Sequence, residues 1–371
     1  MKISVLCKVV DNFGDIGVVW RLCKSLKKNN FNLSINLIVD GLSTFKKICP
    51  EISENQIFQN VMDINIFDWN CNDFCYSEFS KNDGENLSLI LECFQCGRPS
   101  WMEKILFEDK LSRTVNIIMI DYLTAEKYAE DFHCLKSLTR SAKVQKINFM
   151  PGFTNKTGGL IIDDEWQNLE KRNSNGPVLI FTYEKKSKSL INAINEWTKS
   201  KSKTELILAQ GRGLKSVQNE INSLPKINFN FSVLDYLSQE NWDKMMKNCS
   251  VLFIRGEESM SRACLSGIPF VWQAYPQSDE YQIVKVNALL EQLKKYFSAE
   301  DFKIISDAWI CFNTDEKSDF EIQEKLFLFL KNVEKLADGF SSFALNLRKN
   351  GDLVANLMTL IEKKYIIENN L

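Results

Sequence analysis

A chain of 371 residues, 44% hydrophobic and 25% charged, has the composition of a globular protein, too long for one typical core and comfortable for two domains. Its net charge of −2 leaves no footprint for a polyanion, and no stripe interleaves aromatic with basic residues, so nucleic acid is not an expected partner. No apolar stretch approaches the roughly 20 residues of a membrane helix, so no membrane partner is expected either. The eleven cysteines are scattered from Cys7 to Cys311 without a secretory signal, the usage of a reducing, cytoplasmic compartment where cysteine serves as a small hydrophobe.

Residues 1–10 could pass for a short signal peptide, but Lys8 interrupts the apolar run and Asp11 closes it. A buried first strand at 3–9 is the better reading. Further strands are expected at 33–39, 87–91, 115–120 and 144–150, with helices between them including 18–28 and 125–130. Cys71 and Cys75, with Cys93 and Cys96, could offer four thiolates to zinc. The first pair lacks two-residue spacing and the second ends a strand-like run, so no metal is expected there. The single histidine, His133, excludes any site that needs two imidazoles and reads as a buried, hydrogen-bonded side chain.

Over 151–176 the texture changes. Pro151-Gly152, Gly158-Gly159 and the polar stretch 171–177 read as a connection. The alternation of short apolar runs and amphipathic segments then restarts, with strands at 178–182, 206–209, 227–233, 251–254 and 268–272. After 279 the chain is mostly helical and ends in one long helix from about 343 to 365. The whole reads as an α/β protein of two doubly wound domains, a layout compatible with the GT-B fold: Rossmann-like domains at 1–155 and 156–344, ligands in a facing cleft, and a helical tail at about 345–371 packing back on the first domain.

The first strand runs into Val10-Asp11-Asn12-Phe13-Gly14-Asp15-Ile16-Gly17, where a nucleotide-binding turn would be rich in glycine. Two carboxylates stand there instead. Like charges about 4 Å apart cost several kcal/mol in a partly dry cleft, so a dinucleotide is a poor guest and a cationic or proton-donating group a good one. The structural alternative is that Asp15 simply caps the helix.

In the second domain, residues 251–259 form strand, tight turn and helix start, with the helix stopping at Gly267. Arg255, the Ser259 hydroxyl and the backbone N–H groups of 257–259 could hold a pyrophosphate. Glu257 and Glu258 suit sugar or ribose hydroxyls, or equally a helix dipole. Phe181, Tyr183, Tyr236 and Gln239 stand at strand ends where they could meet a base or sugar; either aromatic set could equally be core. No Asp-x-Asp motif occurs, which favours leaving-group stabilisation by cations and helix N–H groups over a metal ion. A competing signal is Gly211-Arg212-Gly213 after a strand, with Asp235 about 20 residues on, which raises a nucleotide-dependent oxidoreductase. Its third glycine is replaced by Ser216.

Taken in order, the blocks 10–17, 149–159, 255–259 and 269–277 resemble the EarP-type protein-arginine rhamnosyltransferases, which modify bacterial translation elongation factor P, and the resemblance spans nearly the whole chain. It implies a GT-B fold, a TDP-β-L-rhamnose donor bound by the second domain, an acceptor bound by the first, inversion at the anomeric centre, and no cofactor. It makes Asp15 the general base and Asp11 its support. Asn12, Phe13, Gly14 and Gly17 fall beside them, and Phe181, Tyr183, Tyr236, Gln239, Arg255, Glu257, Glu258 and Ser259 fall at or near donor positions. This chain has Glu258 where the family usually has Asp, Tyr236 where it often has Phe, and Met119-Ile120-Asp121 where it often has Asn-Leu-Glu. A non-catalytic module that only binds the elongation factor is the remaining alternative.

Overall fold

The computed structural model describes residues 1–10, 13–201 and 203–369. They divide into two units, Met1–Asp163 with Asn350–Leu371, and Asp164–Lys349.

The first unit is built on an eight-stranded sheet of order β3-β4-β2-β1-β5-β6-β8-β7. Its strands are β1 (Lys2–Lys8), β2 (Ser34–Asp40), β3 (Phe58–Val61), β4 (Ile64–Asp68), β5 (Leu89–Cys93), β6 (Val115–Ile120), β7 (Lys136–Ser137) and β8 (Val144–Phe149). From β4 to β8 the pairing is parallel, and the outer strands β3 and β7 are antiparallel. Successive side chains of a strand point to opposite faces, and here both faces are covered. Ile3, Val5 and Cys7 of β1, with Ile35, Leu37 and Val39 of β2, enter one core beside Val19, Trp20 and Cys23 of the helix Phe13–Asn29. Leu6 and Ile38 enter the other, against Phe79, Trp101 and Ile105. This two-sided burial makes β1, β2, β5, β6 and β8 legible as apolar runs. The β3–β4 hairpin was not expected, because its two-residue turn, Met62-Asp63, takes left-handed angles (φ 53° and 59°) without the glycine that usually signals it.

The long terminal helix expected from 343 to 365 is two helices, Val333–Lys349 and Leu353–Asn369. Gly351 breaks it at φ +90°, and Asp352 restarts it by accepting the Ala355 N–H at 2.9 Å. The same carboxylate accepts the Ile162 N–H at 2.7 Å, and the Leu353 N–H donates to the Leu160 carbonyl at 2.8 Å. Asn350 and Asn356 donate to the carbonyls of Phe153 and Gly158 at 2.7 and 3.1 Å. The segment 149–159 is thus a latch for the chain's last helix, whose Leu353, Val354, Leu357 and Ile361 join the core beneath β1. These contacts tie 156–163 to the first unit, so the chain passes between units at 163/164 and 349/350, where the sequence reading put 155/156 and 344/345.

The second unit has a five-stranded, all-parallel sheet of order β11-β10-β9-β12-β13. Its strands are β9 (Val178–Phe181), β10 (Glu205–Leu208), β11 (Asn230–Val233), β12 (Val251–Arg255) and β13 (Phe270–Gln273). The helix Glu257–Ser266 follows β12, is buried from Ser259 to Ser266, and stops at Gly267 in the left-handed conformation (φ +69°).

Gly159 anchors the latch at φ +82°, and a Cβ there would lie 2.7 Å from the Gly351 carbonyl oxygen. Gly159→Ala is expected to cost more than about 1 kcal/mol in urea unfolding and to expose the 350–369 segment to limited proteolysis. Unchanged stability would remove the latch from this account.

Candidate functional site

In an open doubly wound sheet, ligand-binding side chains gather beyond the C-terminal ends of the strands that flank the reversal of strand order. In the first unit that place lies between β1 and β5. β1 leads into the helix Phe13–Asn29, which begins five residues earlier than the expected start at 18. Asp15 is therefore the third residue of its helix rather than the cap residue. Its side chain is only 3% exposed. One carboxylate oxygen, Oδ2, accepts the Val10 N–H at 2.8 Å, and the other, Oδ1, accepts the Tyr122 hydroxyl at 3.2 Å. The first turn of a helix favours an anion, which helps such a burial. Gly14 is exposed with open space around it, and Gly17 is buried in the helix. Asp11 and Asn12 lie outside the described residues, and Phe13 opens the helix.

Tyr122 and its surroundings were missed by the sequence reading. It lies two residues beyond β6, and its ring stacks on Phe94, just beyond β5, with centroids 4.5 Å apart and planes 17° apart. Asp121, whose contacts the sequence left open, accepts the Gln95 amide at 3.1 Å and the Tyr122 N–H at 2.8 Å. The rule of strand ends could have found Tyr122, because 115–120 was already expected as a strand.

In the second unit the reversal lies between β9 and β12, which pair with Ile254 opposite Phe181. Arg255 therefore emerges beside the end of β9. Its guanidinium carbon lies 4.6 Å from the Phe181 ring and 4.7 Å from the Tyr183 ring, within cation–π range of both. Its Nε is buried with no hydrogen-bond partner among the described residues. Tyr183 is held by its N–H donating to Gln273 Oε1 at 2.7 Å. A Cβ at Gly211 would meet Arg255 Nη2 and Phe181 Cε2, each at 3.0 Å, and one at Gly213 would lie 2.4 Å from the Thr182 carbonyl oxygen. Close packing against the Arg255 cluster thus accounts for both glycines of the G-x-G signal without a dinucleotide.

Gly256 turns the chain at φ +72° into the helix Glu257–Ser266. Glu257 pairs with Lys285 at 3.5 Å, a partner from the helix Tyr281–Leu293 that the sequence did not suggest. Glu258 lies 3.6 Å from the Nε of Arg262, a buried arginine one turn on, and Ser259 is buried beside them. Gln239 begins the helix Gln239–Lys247, capped by the Ser238 hydroxyl on the Asn241 N–H. Trp242 of that helix packs edge-on to Phe181 at 5.1 Å. Tyr236, in the loop before it, is 60% exposed. The structure thus gathers Phe181, Tyr183 and Arg255 in direct contact and sets Glu257, Glu258 and Ser259 immediately after them.

Most of the cysteines are buried, and Cys134 is exposed. Cys7, Cys23 and Cys93 lie in one core of the first unit and Cys75 in the other, on opposite sides of the sheet. Burial pushes the Cys75 and Cys96 thiols up to about 12 and keeps them protonated. His133 is half-buried rather than core, and its Nδ1 accepts the Met150 N–H at 3.1 Å. Burial lowers its pKa and favours the neutral ring that this bond needs.

The model of the family described as elongation-factor P (EF-P) rhamnosyltransferase EarP matches residues 3–362. Over 322 residues the chain is 29% identical to a protein-arginine rhamnosyltransferase of Shewanella oneidensis, covering 77% of this chain and 79% of that one. Over 339 residues it is 26% identical to one of Pseudomonas putida, covering 84% and 86%. A solved structure described as the structural basis for EarP-mediated arginine glycosylation of translation elongation factor EF-P has a TM-score of 0.59 at 16% identity, covering 98% of this chain and 99% of that one. MurG of Acinetobacter baumannii has a TM-score of 0.52 at 11% identity, covering 98% and 100%. At such identities the two structures speak for the fold, which is GT-B.

Arg255→Ala removes a cation already oriented by two rings. A charge-assisted contact of about 1.5–3 kcal/mol would be lost, so TDP affinity in calorimetry is expected to fall about 10- to 100-fold. Unchanged affinity would make Arg255 a packing residue.

Proposed function

The chain belongs to the EarP family and is a protein-arginine rhamnosyltransferase. On that premise we propose that it moves rhamnose from TDP-β-L-rhamnose to an arginine side chain of translation elongation factor P, inverting the sugar's C1 without a metal ion. The observation that carries this reading is Asp15, a buried carboxylate at a strand end with a hydrogen-bond donor on each oxygen.

Guanidinium has a pKa above about 12, so an aspartate cannot strip its proton in the ground state. Asp15, supported by Asp11, binds the guanidinium and turns one nitrogen toward C1. The nitrogen attacks from the face opposite the diphosphate. As the C–N bond forms, the C1–O bond to TDP breaks, and the nitrogen's proton passes to Asp15. Arg255, the Ser259 hydroxyl and the first N–H groups of the helix Glu257–Ser266 take up the negative charge developing on TDP. Glu257 and Glu258, each beside a cation, orient to sugar or ribose hydroxyls. Phe181 and Tyr183 line the donor's other side, and Tyr236 and Gln239 meet the base. An acceptor that works in translation places the enzyme in the cytoplasm.

Asp15→Asn keeps the shape, and its amide still offers one oxygen to the Val10 N–H and an N–H to the Tyr122 oxygen. Stability should change by no more than about 1 kcal/mol. Rhamnosylation of the elongation factor should fall by about 10²–10⁴-fold with TDP-rhamnose affinity nearly unchanged. Near-normal turnover would reduce Asp15 to a structural carboxylate. In the same assay, activity should survive excess EDTA; a loss restored by Mg²⁺ or Mn²⁺ would overturn the cationic leaving-group assignment.

A further inference from the structure

We propose that Tyr122 is a positioning residue for Asp15, its hydroxyl orienting the carboxylate that takes up the acceptor's proton. The inference rests on the reading of Asp15 as the base. The Val10 N–H reaches Oδ2 at 2.8 Å and the Tyr122 hydroxyl reaches Oδ1 at 3.2 Å, so together they set the plane of the group.

Tyr122 is itself held by an arrangement that core packing does not require, since its side chain is 38% exposed. Phe94 and Gln95, the two residues after β5, take left-handed angles of φ 59° and 52°, a costly conformation for residues other than glycine. Hydrogen bonds hold it. The Phe94 N–H donates to the Ile120 carbonyl at 2.7 Å, and the Gln95 amide donates to Asp121 Oδ2 at 3.1 Å. Asp121 Oδ1 in turn accepts the Tyr122 N–H at 2.8 Å. The Phe94 ring is thereby offered as a platform, and Tyr122 stacks on it at 4.5 Å with its hydroxyl on Asp15. The strained pair beyond β5 and the turn beyond β6 fix one oxygen atom.

The Cys7 thiol and the Tyr122 hydroxyl both face Asp15. The Cys7 thiol comes from β1 and Tyr122 from the end of β6, while Asp121 lies behind Tyr122 and grips its backbone. Burial first, and the Asp15 charge next, push the Cys7 thiol well above its ordinary value, so it stays protonated and neutral. Tyr122 supplies a side-chain hydrogen bond to the carboxylate from a separate element of the fold.

Tyr122→Phe keeps the ring and its stack on Phe94 and deletes the hydroxyl alone. A carboxylate free to turn meets the acceptor nitrogen less often in the reactive geometry. The kcat for arginine rhamnosylation is therefore expected to fall about 10- to 100-fold, with the KM for the elongation factor and the TDP-rhamnose affinity nearly unchanged. A hydroxyl that merely stabilised the fold would lower the melting temperature and leave the kcat of the folded enzyme in place. A near-normal kcat overturns the inference. If Asp15→Asn is inactive while Tyr122→Phe turns over normally, only this inference fails. If Asp15→Asn stays active, the reading of Asp15 fails first.

Discussion

A carboxylate buried at the start of a helix is tolerated only where donors reach both of its oxygens, and the first unit is arranged to provide them. The bond from the Val10 N–H to Asp15 closes the turn between β1 and its helix from within. The features on which the proposed role of Asp15 as a base rests follow from that closure. The charge sits at the positive end of a helix, beyond the end of a central strand, and away from bulk water. A glycine-rich turn would instead aim its N–H groups at a phosphate, and a buried carboxylate at the same place in the same fold suits a cation better than an anion.

The second unit has the opposite polarity at the equivalent strand ends. Arg255 lies within cation–π range of both the Phe181 and Tyr183 rings, which hold the guanidinium without neutralising it, as a carboxylate would. Glycine at 211 leaves room for it, since any side chain there would press on Arg255 and Phe181. Acidic side chains follow in the next helical turn, and each is drawn toward a cation, Glu257 to Lys285 and Glu258 to the buried Arg262. Arg262 is 1% exposed, and its Nη1 has no hydrogen-bond partner among the described residues. Removing Glu258 would leave that buried charge uncompensated, which ties the identity of residue 258 to folding.

Much of this was legible in the sequence because parallel strands covered on both faces read as short apolar runs. Val115–Ile120 coincides with its expected bounds, and the turn from β12 through Gly256 into its helix was readable as strand, tight turn and helix start. What was not legible depends on contacts that local pattern does not carry. The Met62-Asp63 turn lacks a turn signature, so the β3–β4 hairpin stayed hidden. The helix break at Gly351 did carry its stop and restart signals, but apolar periodicity on either side concealed them. The first helix was expected from 18 because the apolar pattern becomes clear only there, and it starts at Phe13. Tyr122 meets Asp15 across 107 residues of sequence, and Lys285 meets Glu257 across 28. A tyrosine after a strand is unremarkable until the fold brings a carboxylate to its hydroxyl.

The central claim, transfer of rhamnose from a TDP donor to a protein arginine, is tested most directly by intact-mass spectrometry of purified elongation factor P after incubation with this protein and TDP-β-L-rhamnose, followed by peptide mapping. The account predicts a gain of one rhamnosyl residue, located on an arginine side chain, with release of one TDP per modified factor and the anomeric configuration inverted in the product. An unmodified elongation factor, or a sugar found on a residue other than arginine, would contradict it.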